Sequence, residues 1–302
     1  MKEILIGVDN GNGNTKEDTG FVIQSGVKKL VVRPPFDTKT VKWKGEYYAV
    51  GASKTEIQKS KVSNNDTLIL TMAAIAEKLN RLGKDSGDIR LAVGLPLTRM
   101  GAEKQEFYNY FMKNRRLNYK YEGQFYSVYI VSVDVFPQGY AAVVNRLNTF
   151  AMSTVVVDIG SWTIDILPII EGQPDVSQCK SLSLGTFTAI ADINENLRQK
   201  FGEEANEVII KDVMLHGKSA INQKYLTIIQ DGLTVYADKI MNNLRSLKIN
   251  FDLTQFVFIG GGASIIKNFS SDLGENMLII EDVCINAKGY KDILEHKYKV
   301  VV

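Results

Sequence analysis

Two acidic turns in the sequence contain the residue types that bind phosphate and a divalent cation. Residues 9–16 read Asp-Asn-Gly-Asn-Gly-Asn-Thr-Lys and directly follow the apolar run 4–8. Residues 158–163 read Asp-Ile-Gly-Ser-Trp-Thr and follow a β-branched run at 154–157. Glycine allows a turn to approach a ligand closely, and consecutive backbone N–H groups in a turn form a concavity that binds anions. Either turn alone is equally typical of an ordinary link between strands, whereas the pair favours a phosphate site.

The carboxylates and the lysine of these turns indicate how a polyphosphate would be held. Because Mg²⁺ takes few carboxylates and keeps several waters, Asp9 and Asp158 suffice as its protein ligands. Lys16 supplies a point charge of the kind that binds phosphate. The remaining turn residues that we expect to contact the ligand are Gly11, Asn12, Gly13, Asn14, Gly160, Ser161 and Thr163.

A third glycine-rich segment follows the apolar run 256–259. It consists of Gly260, Gly261 and Gly262, and Ala263 begins the next element. These glycines would let a base pack flat or a sugar approach closely, although a glycine triplet is also typical of a flexible connector. The pattern GxxxxGK[ST] is absent and the first turn does not match GxGxxG, which disfavours P-loop and dinucleotide-binding folds.

Buried strands and surrounding helices must position these turns. Apolar runs that end in Asp are typical of strands buried on both faces. Hydrophobic patterns predict strands at 4–8, 20–25, 29–33, 46–50, 89–95, 125–133, 154–157, 256–259 and 277–280, and helices at 66–82, 103–116, 186–201, 203–215, 219–247 and 286–295. We expect residues 134–150 to turn into a further helix that starts near Pro137. Strands that alternate with helices indicate an α/β fold.

The two acidic turns also indicate an internal repeat. Asp9 and Asp158 lie 149 positions apart, about half of the 302 residues, and each ends a run of the same kind. This spacing favours two similar lobes that face each other across a cleft. We expect lobe I to span 1–145, with a C-terminal helix within 285–302 that packs back on it, and lobe II to span 146–284.

The composition is that of an ordinary globular protein. Hydrophobic residues make up 45% and charged residues 23%, which disfavours a disordered or fibrous chain. The 36 basic and 34 acidic residues give a net charge of +2, so we expect no direct nucleic-acid partner and no membrane partner. Two isolated cysteines, Cys179 and Cys284, suit a reducing cytoplasm, and we expect neither a signal peptide nor a membrane span.

The motifs together resemble those of the superfamily of actin, sugar kinases and heat-shock chaperones. Residues 9–16 resemble the first phosphate motif of actin without gaps, residues 155–165 the second, and residues 258–266 the adenosine motif, all in the same order. The segments 93–98 and 133–140 further resemble bacterial actin-like plasmid-segregation proteins of the ParM/StbA type. The resemblance implies an actin-like ATPase fold, with two similar lobes, as duplicated ribonuclease-H-like domains, around a nucleotide cleft.

The resemblance implies roles for individual residues. Asp9 and Asp158 would hold Mg²⁺ mostly through water, with Asp158 also a catalytic residue, and Lys16 would contact the β- and γ-phosphates of ATP. The water-orienting residue of the family falls at Asp134, and Gln138 nearby is chemically suited to the same task, so both remain candidate catalytic residues.

Two further residues are assigned by the same resemblance. Asn194 and Glu195 lie in a segment that resembles the actin helix whose glutamate binds the ribose hydroxyls. A solvated polar helix face explains that segment equally well.

The implied function is a Mg²⁺-dependent ATPase that polymerises into filaments on ATP binding and disassembles after hydrolysis. Such filaments would drive plasmid DNA segregation through a DNA-binding adaptor protein on a centromere-like site, and the preference between ATP and GTP is open. A metabolite kinase of the same superfamily and a nucleotide-binding scaffold without turnover are alternatives, while a chaperone would need a peptide-binding domain that we do not expect. Two basic stretches, 26–45 and 113–120, indicate either a solvated surface or contacts between protomers.

Overall fold

The computed structural model describes residues 3–52, 60–247 and 249–299, with side chains described up to residue 298. The chain divides into two compact units. Unit 1 comprises Met1–Asn145 together with Cys284–Val302, and unit 2 comprises Arg146–Val283. Both units combine strands with helices, which confirms the predicted α/β class.

Unit 1 contains a nine-stranded sheet whose strand order is β3-β2-β1-β7-β9-β8-β5-β6-β4. The strands are β1 (Ile4–Asn10), β2 (Asn14–Glu17), β3 (Val22–Gln24), β4 (Gly26–Leu30), β5 (Thr40–Trp43), β6 (Glu46–Ala52), β7 (Ser86–Leu95), β8 (Arg116–Tyr121) and β9 (Gln124–Pro137). The helices are α1 (Asp66–Arg81), α2 (Leu97–Lys113), α3 (Tyr140–Val143) and the last helix, α8 (Ile285–Lys299). Strands β1, β7 and β9 run parallel, so their carboxyl ends meet at one edge of the sheet.

Helices cover both faces of the central strands of unit 1. On one face, α1 buries Leu68, Met72 and Ile75 completely, in the helical spacing that the sequence shows. On the other face, α8 packs so closely that a Cβ on Gly94 would lie 1.9 Å from the Tyr290 hydroxyl oxygen. The carboxyl ends of β1, β7 and β9 are therefore held between two helical layers.

Unit 2 contains a six-stranded sheet in which β10 pairs parallel with β14 and antiparallel with β11. Its strands are β10 (Ser153–Ile159), β11 (Ile164–Ile170), β12 (Gln173–Pro174), β13 (Lys180–Leu182), β14 (Gln255–Ile259) and β15 (Met277–Ile279). Its helices are α4 (Thr186–Phe201), α5 (Glu207–His216), α6 (Gln223–Ser246) and α7 (Ala263–Phe269). The apolar faces of these helices and of the sheet form one continuous core.

The segment 134–150 differs from the prediction. Strand β9 continues to Pro137 because it pairs with β7 as far as Leu95, and proline, which has no N–H to donate, closes the ladder. Only Tyr140–Val143 is α-helical, and a 3₁₀ helix follows at Val144–Thr149. Asp134 consequently lies within a strand rather than at a turn.

None of the helices in the described part of the chain combines the length and the hydropathy that a membrane crossing requires.

Candidate functional site

The first acidic turn joins β1 to β2 in a hairpin that places Asp9 opposite Lys16. The Lys16 Nζ lies 3.8 Å from Asp9 Oδ2, and both side chains are largely buried. The Ser25 hydroxyl donates to the carbonyl oxygen of Gly11 at 2.6 Å. Because C=O and N–H point in opposite directions across a planar trans peptide, the N–H of Asn12 points away from Ser25. The turn therefore presents a backbone N–H on the side away from Ser25, and backbone donors in turns can bind anions.

Gln138 lies at the carboxyl end of β9 and contacts the first turn. Its Nε2 donates to Asp9 Oδ1 at 2.7 Å, and its backbone N–H donates to the carbonyl oxygen of Leu95 at 2.8 Å. The next peptide N–H, of Gly139, donates to Asn286 Oδ1 of α8 at 2.9 Å. A side-chain amide is thus fixed on the carboxylate of Asp9 from a second strand.

Asp134 lies further back along β9 and has different neighbours. Its Oδ1 accepts a hydrogen bond from Lys297 Nζ, and its Oδ2 accepts one from the Tyr298 hydroxyl at 3.4 Å. The hydrogen bond to Asp134 raises the pKa of the Lys297 ammonium group. The structure therefore brings Gln138, and not Asp134, into contact with Asp9.

The second acidic turn joins β10 to β11, and α4 begins against it. Three consecutive N–H groups, of Gly185, Thr186 and Phe187, donate to the carbonyl oxygens of Trp162, Gly160 and Ser161 at 3.1, 3.0 and 2.9 Å. These bonds satisfy donors that a helix start leaves unpaired.

The same hydrogen bonds set the direction of the backbone N–H groups in the second turn. Since its carbonyls point to α4, the N–H groups of Ser161, Trp162 and Thr163 point away from that helix. The second turn therefore presents three backbone donors next to Asp158 in the chain, whereas the first turn presents the N–H of Asn12. Trp162 packs on Phe187 with 4.8 Å between ring centroids, which anchors the turn to α4.

The third glycine segment lies against Asp158. Strand β14 pairs with β10 so that Ile259 is opposite Asp158, and Gly260 follows with a φ of +87°. A Cβ on Gly260 would lie 2.4 Å from Asp158 Oδ1. The N–H of Gly262 donates to the carbonyl oxygen of Ile159 at 3.0 Å, and Ala263 then begins α7. Residues 260–263 and 158–163 therefore form one surface of unit 2.

Asn194 and Glu195 lie about 12 Å along α4 from its first residue, because a helix rises about 1.5 Å per residue. Asn194 Oδ1 accepts the N–H of Ala205 at 2.9 Å, and Glu195 is exposed and paired with Arg198. Neither contact involves the second turn.

Family models match both halves of the chain. A model described as "Actin like proteins N terminal domain" matches residues 7–140, and one described as "Archaeal actin homologue MreB-like, C-terminal" matches residues 156–271. The chain is an actin-like protein. The resemblance inferred from the three motifs is thereby confirmed, and both matches include an acidic turn. No curated protein matches this actin-like protein in sequence.

Solved structures of low sequence identity share the fold over nearly the whole chain. An archaeal actin homologue, Ta0583, superposes with a TM-score of 0.81 at 21% identity over 97% of this chain and 99% of its own. ParM from Clostridium botulinum, solved as a 15-stranded filament, gives 0.77 at 18% identity over 98% and 100%. ParM from Bacillus thuringiensis with ATP gives 0.76 at 17% identity over 99% and 100%. These matches confirm the actin-like fold class.

The carboxylates of Asp9 and Asp158 are oxygen donors of the type that Mg²⁺ takes, one or two at a time, beside phosphate and water. Among the described residues, no group of three or more His, Cys, Asp or Glu side chains is placed to hold a metal ion. Within the same residues, the buried Asn10 Oδ1 beside the first turn and the buried Ser264 Oγ at the start of α7 have no hydrogen-bond partner. Polar groups of this kind need a partner, and a bound nucleotide with its waters would supply one.

A buried charged cluster lies directly behind the first turn. Lys78 of α1 pairs with Asp18 and, at 3.1 Å, with Glu17 Oε1, and all three side chains are at most 7% exposed. Asp18 Oδ2 accepts the N–H of Gly7 at 2.7 Å. Burial, together with the charge of Glu17, raises the pKa of Asp18 to about 6. The cluster ties the end of β2 to β1 and α1, so it supports the hairpin that carries Asp9.

Sequence reasoning missed Ser25 and Asn286, which hold the first turn and Gly139. Ser25 is 14 positions from Gly11, and Asn286 is 147 positions from Gly139. Neither residue belongs to a motif, and only the pairing of distant segments reveals its contact.

Proposed function

We propose that this actin-like protein binds ATP with Mg²⁺, assembles into filaments and hydrolyses the nucleotide, and that the filaments move plasmid DNA through a DNA-binding adaptor. The observation that carries the proposal is the pair of turns, each with an aspartate; the first adds Lys16 and the N–H of Asn12, and the second adds three N–H groups directed away from α4. The relatives solved as a ParM filament and as ParM with ATP support it.

In this proposal the two turns contact one nucleotide. Asp9 and Asp158 hold the Mg²⁺, and Lys16 contacts the β- and γ-phosphates. The metal would neutralise charge on the phosphates during hydrolysis. Residues 260–263 contact the adenosine, Glu195 binds its ribose, and Asn194 belongs to the purine contacts.

We further propose that Gln138 rather than Asp134 orients the attacking water. An in-line water must be held at the γ-phosphate, and Gln138 is fixed on Asp9, the proposed metal ligand. The carboxylate of Asp134 is instead occupied by Lys297 and Tyr298. We expect Gln138→Ala to slow single-turnover hydrolysis at least tenfold while leaving ATP-dependent assembly intact, and Asp134→Ala to leave the hydrolysis rate unchanged. The reverse result would assign the role to Asp134.

Light scattering with simultaneous phosphate release tests the function as a whole. With ATP and Mg²⁺, we expect scattering to rise and then to decay as phosphate appears. Asp158→Asn should abolish both signals, whereas Asp252→Asn, which removes an exposed carboxylate of unit 2, should change neither. Formation of ADP only after a sugar is added, with the γ-phosphate transferred to the sugar and no free phosphate released, would indicate a metabolite kinase instead.

A further inference from the structure

The two units of the chain carry net charges of opposite sign, although the total is close to zero. Arg146–Val283 carries 17 acidic and 11 basic residues, a formal charge of −6. The rest of the chain carries 25 basic and 17 acidic residues, a formal charge of +8, and the two values account for the total of +2. A near-neutral total therefore does not exclude an anionic partner for unit 1.

Two basic stretches that are distant in sequence meet on one face of the unit 1 sheet. Phe125 of β9 is opposite Lys120 of β8, Lys120 is opposite Lys42 of β5, and Lys42 is opposite Tyr47 of β6. We call these four residues the outer row. The residues that alternate with them, such as Tyr119, are buried on the core face. The outer row thus crosses four neighbouring strands on the face away from the core.

The two lysines at the centre of the outer row repel each other. Like charges directly opposite in an antiparallel pair are destabilising, and neither Lys42 nor Lys120 has an ion-pair partner among the residues that the structure describes. Both line a cavity of about 170 Å³ together with Arg33, Thr40, Tyr47 and one acidic residue, Asp37, whose carboxylate lies 3.3 Å from the Arg33 guanidinium. An anion bound in this cavity would relieve the repulsion.

Aromatic rings flank these two cations. Phe125 is 53% exposed at one end of the outer row, and at the other end Lys42 Nζ lies 5.0 Å from the centre of the Tyr47 ring. Further along β8 and β9, Arg116 is opposite Tyr129, and its guanidinium lies 5.9 Å from that ring. A positive surface with exposed aromatic rings is what binds single-stranded nucleic acid without sequence preference, since phosphates pair with cations and bases stack on rings.

We propose that the outer row of unit 1 binds single-stranded nucleic acid. Phosphates contact Lys42 and Lys120, and bases stack on Phe125 and Tyr47. This binding needs none of the residues assigned above to the ATP site.

Fluorescence anisotropy of a labelled oligothymidine of about 20 nucleotides tests the proposal on the full chain at about 50 and about 200 mM salt. We expect the wild type to bind and to weaken with salt. Lys42→Gln with Lys120→Gln should weaken binding at least tenfold and reduce the slope of log K against log salt by about 1.4, which is two phosphate contacts at about 0.7 each. Phe125→Ala should weaken binding roughly 5- to 150-fold with an unchanged slope.

A control double variant distinguishes a specific effect of the outer row from an effect of the overall charge of unit 1. Lys84→Gln with Lys104→Gln removes the same charge from exposed lysines of unit 1 and should leave affinity unchanged. Because the Lys42/Lys120 double variant loses a repulsion, it should unfold at no lower temperature than the wild type.

Three results would overturn the proposal. They are no binding by the wild type at low salt, an equal loss of affinity in both double variants, and loss of ATP-dependent assembly in the Lys42/Lys120 variant while nucleic-acid binding persists. The last result would make the outer row a contact between copies. Binding of a fluorescent ATP analogue, measured on the same samples, reports separately on the proposed ATP site.

Discussion

Replacement of Gly260 by alanine tests how the third glycine segment positions Asp158. At a φ of +87°, alanine adopts a left-handed backbone that costs about 1–2 kcal/mol. Its Cβ would also lie 2.4 Å from Asp158 Oδ1 and 2.7 Å from the carbonyl oxygen of Ile159, so the carboxylate and the loop must move. We therefore expect Gly260→Ala to lower the free energy of unfolding of unit 2 by at least about 1–2 kcal/mol.

The neighbouring Gly261 provides a matched control. A Cβ on Gly261 would have no atom within 4 Å, and its φ is not positive. Gly261→Ala should change the free energy of unfolding by no more than about 0.5 kcal/mol. Urea unfolding in a Trp43→Phe background reports on unit 2, because Trp162 is then the remaining tryptophan.

Binding of a fluorescent ATP analogue, with and without Mg²⁺, completes the assay. If Asp158 is displaced in Gly260→Ala, the Mg²⁺-dependent affinity should fall at least tenfold, while Gly261→Ala should bind as the wild type does. Equal stability and equal affinity of the two variants would refute the role assigned to Gly260.

Three further predictions concern unit 1. Lys78→Met leaves Glu17 and Asp18 buried without their cation, so it should lower the free energy of unfolding by about 3–5 kcal/mol in urea; a loss below 1 kcal/mol would contradict a stabilising pair. Because the pKa of Asp18 is raised to about 6 in the folded protein from the usual 3.8, its contribution to stability should fall by up to about 3 kcal/mol as pH rises from about 4 to 6 and stay constant above. Subtracting the free energy of unfolding of Asp18→Asn from that of the wild type at each pH isolates the contribution of Asp18. A difference that stays flat or rises with pH would contradict a raised pKa of Asp18. Gly101 is solvent-exposed, lies in the interior of α2 and has free space for a Cβ, so Gly101→Ala should stabilise the protein by about 0.5–1 kcal/mol and raise the unfolding temperature. An unchanged or lower unfolding temperature would show that alanine does not stabilise the helix at this position.

Much of the fold follows from local patterns in the sequence. The apolar runs at 4–8 and 154–157 form the buried strands β1 and β10, and the helical spacing of 66–82 forms α1. The glycine and polar residues of 9–16 and 158–163 predict tight turns at the ends of those strands, where the structure has them. These features are predictable because each depends on neighbouring residues alone.

The contacts that decide the chemistry of the candidate site depend on the tertiary structure. Gln138 contacts Asp9 across 129 positions, and Asp134 is held by Lys297 across 163 positions. Spacing within the segment 133–140 does not distinguish these two outcomes, because the parallel register of β9 with β7 and the packing of α8 set which side chain reaches Asp9. The outer row likewise exists only because β5 pairs with β8 and β6.

The sequence by itself determined the acidic turns, the strands that carry them and the superfamily they indicate, since apolar runs and glycines act through local backbone preferences. Only the tertiary structure decided which residues meet those turns and where the positive charge of unit 1 gathers, because strand register joins segments whose local sequences carry no information about each other.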